Sequence, residues 1–206
     1  MSLTFSSGQI YSGKTLKEEA SISSGGVASN TNVNYGGYMN IAYGGVANDT
    51  TVNSGGNMTI SCGVVANDTT VNSGGEMTIS GGGTANKITV KSGGEMTISS
   101  GGSALNVNWT PCNGDLTIAD GAVVTFTSKY SGVYFGSNGQ LLSQTTVMNG
   151  KNVSGYNCSM FVMSGGVAND TTVDYDGDMF IWSGGVANDT TVNSGGEMTI
   201  RSGGVV

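Results

Sequence analysis

A repeat of nineteen residues recurs through much of this sequence. The heptapeptide VANDTTV begins at Val46, Val65, Val167 and Val186, and a diverged copy begins at Val27. A repeat this short cannot bury its apolar face alone and is typical of proteins in which successive copies stack on one another. We therefore expect the chain to form a continuous stack of coils, with its function on the surface rather than in a pocket.

Composition excludes several classes of function. Glycine accounts for 36 of the 206 residues, and charged residues make up only 10% of the chain. The net charge is −7 and histidine is absent, so nucleic acids and anionic membranes, which require a basic face, are not expected partners. The cysteines are Cys62, Cys112 and Cys158. Their odd number and irregular spacing predict neither a disulfide framework nor a zinc site.

Each repeat is predicted to contain two short strands and two turns. Residues 49–53 are rich in β-branched side chains, and residues 57–60 alternate polar and apolar side chains, which indicates two strands. Residues 54–56 and 61–63 contain serine, cysteine and glycine. They indicate turns, in which glycine supplies a positive φ at no steric cost. Helix is disfavoured because no period of about 3.6 residues is present.

Apolar side chains recur at three fixed places in the repeat. The isoleucine column contains Ile22, Ile41, Ile60, Ile79, Ile98, Val162, Ile181 and Ile200. The methionine column contains Met39, Met58, Met77, Met96, Met160, Met179 and Met198, and the valine column contains Val33, Val52, Val71, Val90, Val173 and Val192. Such columns predict strands that pair in parallel and in register with their equivalents about 4.8 Å away. The predicted fold is an all-β, right-handed parallel β-helix, or β-solenoid, of about nine or ten rungs.

A single β-solenoid domain is predicted over residues 1–206. Residues 1–23 carry the densest charge and are expected to form an N-terminal cap. Residues 24–102 and 160–206 contain the regular repeats, and residues 103–159 form an irregular section that is rich in aromatic side chains.

Two strands are predicted to continue the stack inside that irregular section, at residues 116–118 and 145–147.

No signal peptide or apolar membrane span is evident, and the sequence stops just after a new repeat begins. We therefore expect a fragment whose repeats continue beyond residue 206.

The segment GGVANDTTVNSGGEMTI, from Gly184 to Ile200, closely resembles the repeat of AIDA-type autotransporter adhesins of Gram-negative bacteria. The resemblance covers residues 20–102 and 160–206 well and residues 103–159 poorly. It implies a β-helical passenger on the bacterial cell surface that mediates adherence and self-aggregation. The implied partners are host-cell or bacterial surface ligands, further copies of the chain, end to end or side by side, and a glycosyltransferase that adds heptose to serines.

The resemblance also implies which serines are modified, namely those of the repeat turns. The candidate glycosylation sites are Ser54, Ser73, Ser92, Ser100, Ser164, Ser183, Ser194 and Ser202.

Two groups of acidic residues are candidates for a metal site. Asp49, Asp68, Asp170 and Asp189 share one column, which could form a calcium ladder. The calcium-binding nonapeptide is missing and Lys87 occupies the same column, so solvated carboxylates at turns are favoured. Residues 174–178 resemble the start of an EF-hand loop, but the position that requires glutamate is Gly185. We predict no metal site and no cofactor.

Two other functions remain as alternatives. A carbohydrate-binding or polysaccharide-degrading β-helix would use the aromatic-rich section with Asp115 and Asp120. Histidine is absent and Arg201 is the single arginine, so we predict no catalytic residue and no enzyme. Outward threonines at Thr59, Thr78 and Thr97 could match an ice lattice, but the charges of Glu76 and Glu95 on the same face disfavour this.

Overall fold

The computed structural model describes residues 3–6 and 8–206 of this protein. Those residues form strands, bridges and turns, with no helix among them. None of the described segments meets the length and apolarity that a membrane-spanning helix requires. Parallel coils stack into a β-solenoid of about 10 turns, which confirms the predicted fold class. The coils group into two compact units, and the single domain over residues 1–206 stays a prediction.

The first unit comprises the described residues up to Trp109 together with Gly114–Thr127. Its strands are β1 (Leu3–Phe5), β2 (Ile10–Ser12), β3 (Thr15–Leu16), β4 (Glu19–Ile22), β5 (Val27–Val33), β6 (Tyr38–Ile41), β7 (Val46–Val52), β8 (Asn57–Ile60), β9 (Val65–Val71), β10 (Glu76–Ile79), β11 (Thr84–Val90), β12 (Glu95–Ile98), β13 (Ser103–Val107), β14 (Asp115–Ile118) and β15 (Val123–Phe126). One sheet has the order β1-β4-β6-β8-β10-β12-β14. The other has the order β15-β13-β11-β9-β7-β5-β2, and β3 also pairs with β5.

The second unit comprises Thr110–Asn113 and Ser128–Val206. Its strands are β16 (Val133–Ser137), β17 (Gln140–Thr145), β18 (Val147–Asn149), β19 (Asn152–Val153), β20 (Cys158–Val162), β21 (Val167–Asn169), β22 (Thr172–Val173), β23 (Gly177–Ile181), β24 (Val186–Asn188), β25 (Thr191–Val192) and β26 (Glu197–Ile200). They form three sheets with the orders β17-β16-β20-β23-β26, β18-β21-β24 and β19-β22-β25.

The predicted columns form the interior of the coils. Ile60 pairs in parallel with Ile41 and with Ile79, and Met58 pairs with the equivalent methionines. Both side chains are fully buried, as is Val52. The exceptions are Ile200 and Val192, which are 46% and 42% exposed, and Met198, which is half-buried. They lie in the last coil, which is stacked on a neighbour along one side.

Each long strand turns a corner in its middle. Asp49 has a φ of 53°, and Ala47 and Thr50 on either side of it are both buried. A left-handed residue in the strand shifts the in-out alternation, so the coil has three sides: 46–48, 50–52 and 57–60. Aspartate and asparagine tolerate this conformation better than other residues with a Cβ. The predicted strand at 49–53 is therefore wrong in its bounds, because β7 runs from Val46 to Val52 and bends at Asp49.

The irregular section follows the prediction in one place and departs from it in another. Leu116 pairs with Met96 and Ile118 pairs with Ile98, which confirms the strand at residues 116–118. The strand at 145–147 is wrong, because Thr145 ends β17 and Val147 begins β18. Strand β17 belongs to an antiparallel hairpin with β16, which in turn pairs antiparallel with β20.

The predicted cap includes residues 1, 2 and 7, which lie outside the described part of the chain. Its described residues form β1 to β4, paired in parallel with the regular coils. Lys14, Lys17, Glu18 and Glu19 are exposed, while the apolar residues Leu16 and Ala20 beside them are buried.

Candidate functional surface

The turns that carry the candidate serines have the type II pattern. In the turn at residues 53–56, the Gly56 N–H donates to the Asn53 carbonyl oxygen at 2.8 Å, and Gly55 has a φ of 68°. A positive φ at the third position is accessible to glycine without strain. Ser54 therefore occupies the second position, at the outermost point of the corner, and its side chain is exposed.

All eight candidate serines occupy this second position. Each is exposed and precedes a glycine of positive φ. The corner that follows the valine column carries Ser54, Ser73, Ser92 and Ser194, and the corner that follows the isoleucine column carries Ser100, Ser164, Ser183 and Ser202. Within each unit the candidates thus occupy two kinds of corner, which we call the serine corners, and their modification stays a prediction.

Side-chain amides hold one serine corner in place. The Asn53 side chain donates to the Asn34 side chain at 2.7 Å, and Asn72 donates to Asn53 at 2.7 Å. The glycine peptides of the turns also bond from coil to coil, for example from the Gly55 N–H to the Gly74 carbonyl oxygen at 2.7 Å. These bonds run along the stack, so each turn fixes the position of the next.

In most of the regular turns, the second-position side chain leans over the glycine of the next coil. A methyl group added to Gly74 would lie 2.8 Å from the Ser54 hydroxyl oxygen. Where tyrosine replaces serine, the ring takes the same place, as Tyr35 does over Gly55. Tyr35, Tyr43 and Tyr175 are 83%, 78% and 70% exposed at such positions. Glycine is therefore needed at the third position both for its φ and for the space above it.

The corner without candidate serines carries charge instead. Its members share a positive φ, and we call them the left-handed corner: Asn30, Asp49, Asp68, Lys87 and Asn106 in the first unit, Asp170 and Asp189 in the second. The Lys87 ammonium lies 3.5 Å from an Asp68 carboxylate oxygen. No group of three His, Cys, Asp or Glu side chains that could hold a metal ion occurs within the described residues.

Carboxylates also stack on the side formed by residues 57–60 and its equivalents. Glu95 stands in register between Glu76 and Asp115. Desolvation raises the pKa of the Glu95 carboxyl, and repulsion from Glu76 and Asp115 raises it further. Desolvation also raises the pKa of Asp115.

The second unit repeats this arrangement with Asp178. This residue pairs with Glu197. Its pKa is raised by desolvation first, and then by Glu197 and Asp176.

Most aromatic side chains of the irregular section pack inside their own unit. In the first unit the Trp109 ring is 1% exposed, and its indole N–H donates to the Gly114 carbonyl oxygen at 3.0 Å. In the second unit Tyr134 and Phe161 are 5% and 7% exposed. These three rings are therefore not available as a platform for sugars. Asp115 lies on β14, and Asp120 lies in the exposed turn after it.

The three cysteines are free thiols. The Cys112 thiol donates to the Ser159 carbonyl oxygen at 3.5 Å, and burial raises its pKa to about 12. The Ser159 hydroxyl also donates to the Cys112 sulfur, whereas Cys158 belongs to the buried core cluster of the second unit. Because adjacent residues of a strand face opposite ways, Cys112 packs on the face of β20 that Ser159 occupies, opposite to the face of Cys158.

Comparison with known proteins agrees with this architecture. A crystal structure of a hyper-glycosylated fragment of TibA, whose glycosylation is TibC-catalysed, is similar with a TM-score of 0.60 and 28% sequence identity. The similarity covers 100% of this chain and 90% of that one. No curated protein sequence matches the chain.

A family model matches the two regions of regular repeats. It is described as an adhesin of the bacterial autotransporter system, probable stalk, and it matches residues 42–94 and 157–206, which together make up half of the chain. The two matched regions carry both serine corners and the left-handed corner. The chain belongs to the AIDA family of autotransporter adhesin stalks.

Proposed function

We propose that this chain is a glycosylated, non-enzymatic stalk section of a cell-surface adhesin, which mediates adherence or self-association. The observation that carries the proposal is the position of the eight candidate serines. All of them stand at exposed turn tips, where a transferase can reach each hydroxyl without unfolding the coil. The likeness to a TibA fragment that is hyper-glycosylated by TibC supports a glycosyltransferase as partner.

Adhesion is proposed to arise from repetition. Equivalent side chains recur at each coil, about 4.8 Å apart along the stack. Many weak contacts made at once give an avidity that a single contact cannot give. The chain lacks histidine, and two aromatic rings of the irregular section, Trp109 and Tyr134, are buried. Both observations favour binding over catalysis.

A matched pair of serines tests the modification. Ser100 is exposed at the second position of its turn, and Ser99 beside it is half-buried at the first position. In protein produced together with its native glycosyltransferase, Ser100→Ala should remove one heptose increment from the intact mass, whereas Ser99→Ala should remove none. An unmodified wild-type chain, or loss of mass with Ser99→Ala alone, would contradict the proposal.

Adherence is tested separately, with the glycosylated and the unmodified protein. Binding to cultured host cells and to bacteria is measured by flow cytometry, and self-association by sedimentation velocity. We expect at least one form to bind cells or to associate. A chain that shows neither activity in either form is not an adhesive module.

A further inference from the structure

A groove runs beside the left-handed corner of the first unit. Its volume is about 440 Å³, which is within the range of ligand sites in proteins. Three threonines, one from each of three successive coils, line one side, and we call them the groove threonines. The groove threonines are Thr51, Thr70 and Thr89, and the facing corner residues include Asp49, Asp68 and Lys87.

The groove threonines present hydroxyls that the protein does not use. Within the described residues, none of these three side chains has a hydrogen-bond partner. Each hydroxyl can donate one hydrogen bond and accept two. They repeat once per coil, so they form a line of donors and acceptors spaced by about 4.8 Å. A ligand that matches this line must be extended and must carry hydroxyl groups at a similar spacing.

The backbone around the groove is closed to an extended peptide. Strand β9 pairs with β7 on one side and with β11 on the other, so its N–H and C=O groups are already used. Recognition by strand addition needs a free sheet edge. The groove therefore offers side chains only, which suits a ligand whose own polar groups lie along its surface.

The charges around the groove further restrict the class of ligand that it can bind. Asp68 is paired with Lys87 at 3.5 Å, which leaves Asp49 as the uncompensated charge among these three corner residues. The whole chain carries −7, so a polyanion would be repelled. Carboxylates and threonine hydroxyls both accept hydrogen bonds from neutral sugar hydroxyls.

We propose that this groove binds a linear, uncharged glycan that lies parallel to the stack, with successive sugars against successive coils. The inference rests on the proposed adhesive function and gives it a ligand class. It assigns carbohydrate binding to polar side chains of the first unit and not to the aromatic rings of the irregular section.

Titration calorimetry of the unmodified full chain with neutral hexose oligomers tests the proposal. The probes are cellohexaose, laminarihexaose, maltohexaose and mannohexaose, with polygalacturonate as an anionic counterpart. We expect at least one neutral oligomer to bind and polygalacturonate to bind more weakly. Binding of none of the neutral oligomers, or tighter binding of the polyanion, would overturn the proposal.

The chain provides a matched control for the site. The triple variant Thr51→Val, Thr70→Val and Thr89→Val removes the three groove hydroxyls and keeps the β-branched shape, so affinity should fall by about tenfold or more. The control variant Thr59→Val, Thr78→Val and Thr97→Val changes outward threonines on another side of the coils and should leave affinity unchanged. Equal affinities of the groove variant and the wild type would assign the binding elsewhere and overturn the proposal.

Measurements of cell binding distinguish a failure of this proposal from a failure of the adhesive function on which it rests. If the oligomer binds in the groove and the wild-type chain does not bind cells, the groove proposal stands and the adhesive role fails. If cells are bound equally by the wild type and by the groove variant, the adhesive role stands, and a glycan in the groove is not what the chain recognises on those cells.

Discussion

Replacing Thr69 by valine should stabilise the protein, which is the opposite of what most core substitutions do. Thr69 is 1% exposed, and its hydroxyl has no hydrogen-bond partner within the described structure. Burying a hydroxyl without a partner costs about 1–3 kcal/mol. The chain itself shows that an aliphatic side chain fits the position, because Ile88 pairs with Thr69 in the next coil and is fully buried.

We expect Thr69→Val to raise the free energy of unfolding by about 1–2 kcal/mol, because the hydroxyl is replaced by a methyl group of similar size. For a chain of this length, each 1 kcal/mol corresponds to a rise of about 2–4 °C in Tm. Urea denaturation followed by circular dichroism gives the free energy, and calorimetry gives the Tm.

Two neighbouring threonines serve as controls for this prediction. Thr70→Val changes a half-exposed outward residue and should alter stability by less than about 0.5 kcal/mol. Thr31→Val should gain less than Thr69→Val, because the Thr31 hydroxyl donates to the Ser29 carbonyl oxygen at 3.3 Å. A Thr69→Val protein that is no more stable than the wild type would show that the hydroxyl is satisfied, and the reasoning would fail.

Three further outcomes are expected. Gly74→Ala should destabilise the chain by about 1–3 kcal/mol in urea denaturation, because Gly74 has a φ of 68° and faces the Ser54 hydroxyl; adding Ser54→Gly should recover part of the loss, and full tolerance of alanine would contradict the turn geometry. The raised pKa of Glu95 means that the folded state holds this proton more tightly than the unfolded chain does, so stability should fall as pH rises through that raised pKa. Glu95→Gln should flatten this decline, which begins above about pH 4, in urea midpoints, and an unchanged slope would refute the cause. In maleimide labelling of the native protein at neutral pH, exposed Cys62 should react and buried Cys112 should not; mass spectrometry identifies the labelled peptide, and rapid labelling of Cys112 would contradict its burial.

The periodic columns made the solenoid predictable from the sequence. Identical apolar residues nineteen positions apart, such as Ile41 and Ile60, can all be buried only if equivalent strands lie in register. The glycine turns followed from the same period, whereas the choice of their serines as modification sites came from the resemblance to the family. Composition, period and turn chemistry all indicated the same fold here, which is why the regular coils were predicted well.

The left-handed corner was predicted only in part, because its aspartates were interpreted as carboxylates at turns while Asp49 was also placed in a strand at residues 49–53. Asp49 lies between two buried residues, Ala47 and Thr50, and no strict alternation allows both to face inward. The signal was present, since aspartate or asparagine recurs at this place in most copies and tolerates a positive φ. The buried threonines, including Thr69, went unnoticed for the same reason, because their direction depends on that corner.

The hairpin of β16 and β17 also had a sequence signal. Asn138-Gly139 separates two strands, and both residues have positive φ, 54° and 65°, as a type I′ turn requires. Asparagine followed by glycine between two apolar runs is the strongest short-range indication of a hairpin. The repeat predicts parallel pairing, but no column of the repeat passes through this segment, so the repeat does not predict the hairpin.

Distances between spin labels along one outward file test the stacking most directly. Ser21, Asn40, Thr59, Thr78, Thr97 and Thr117 pair in this order, each with the next, in the first unit. Nitroxides are attached pairwise to Ser21→Cys and to Thr78→Cys, Thr97→Cys or Thr117→Cys, in a Cys62→Ser background, and measured by electron–electron double resonance. The stack predicts narrow distributions whose means grow by about 4.8 Å per coil. Means that do not increase in that order, or that grow by the length of an extended chain, would contradict the in-register solenoid.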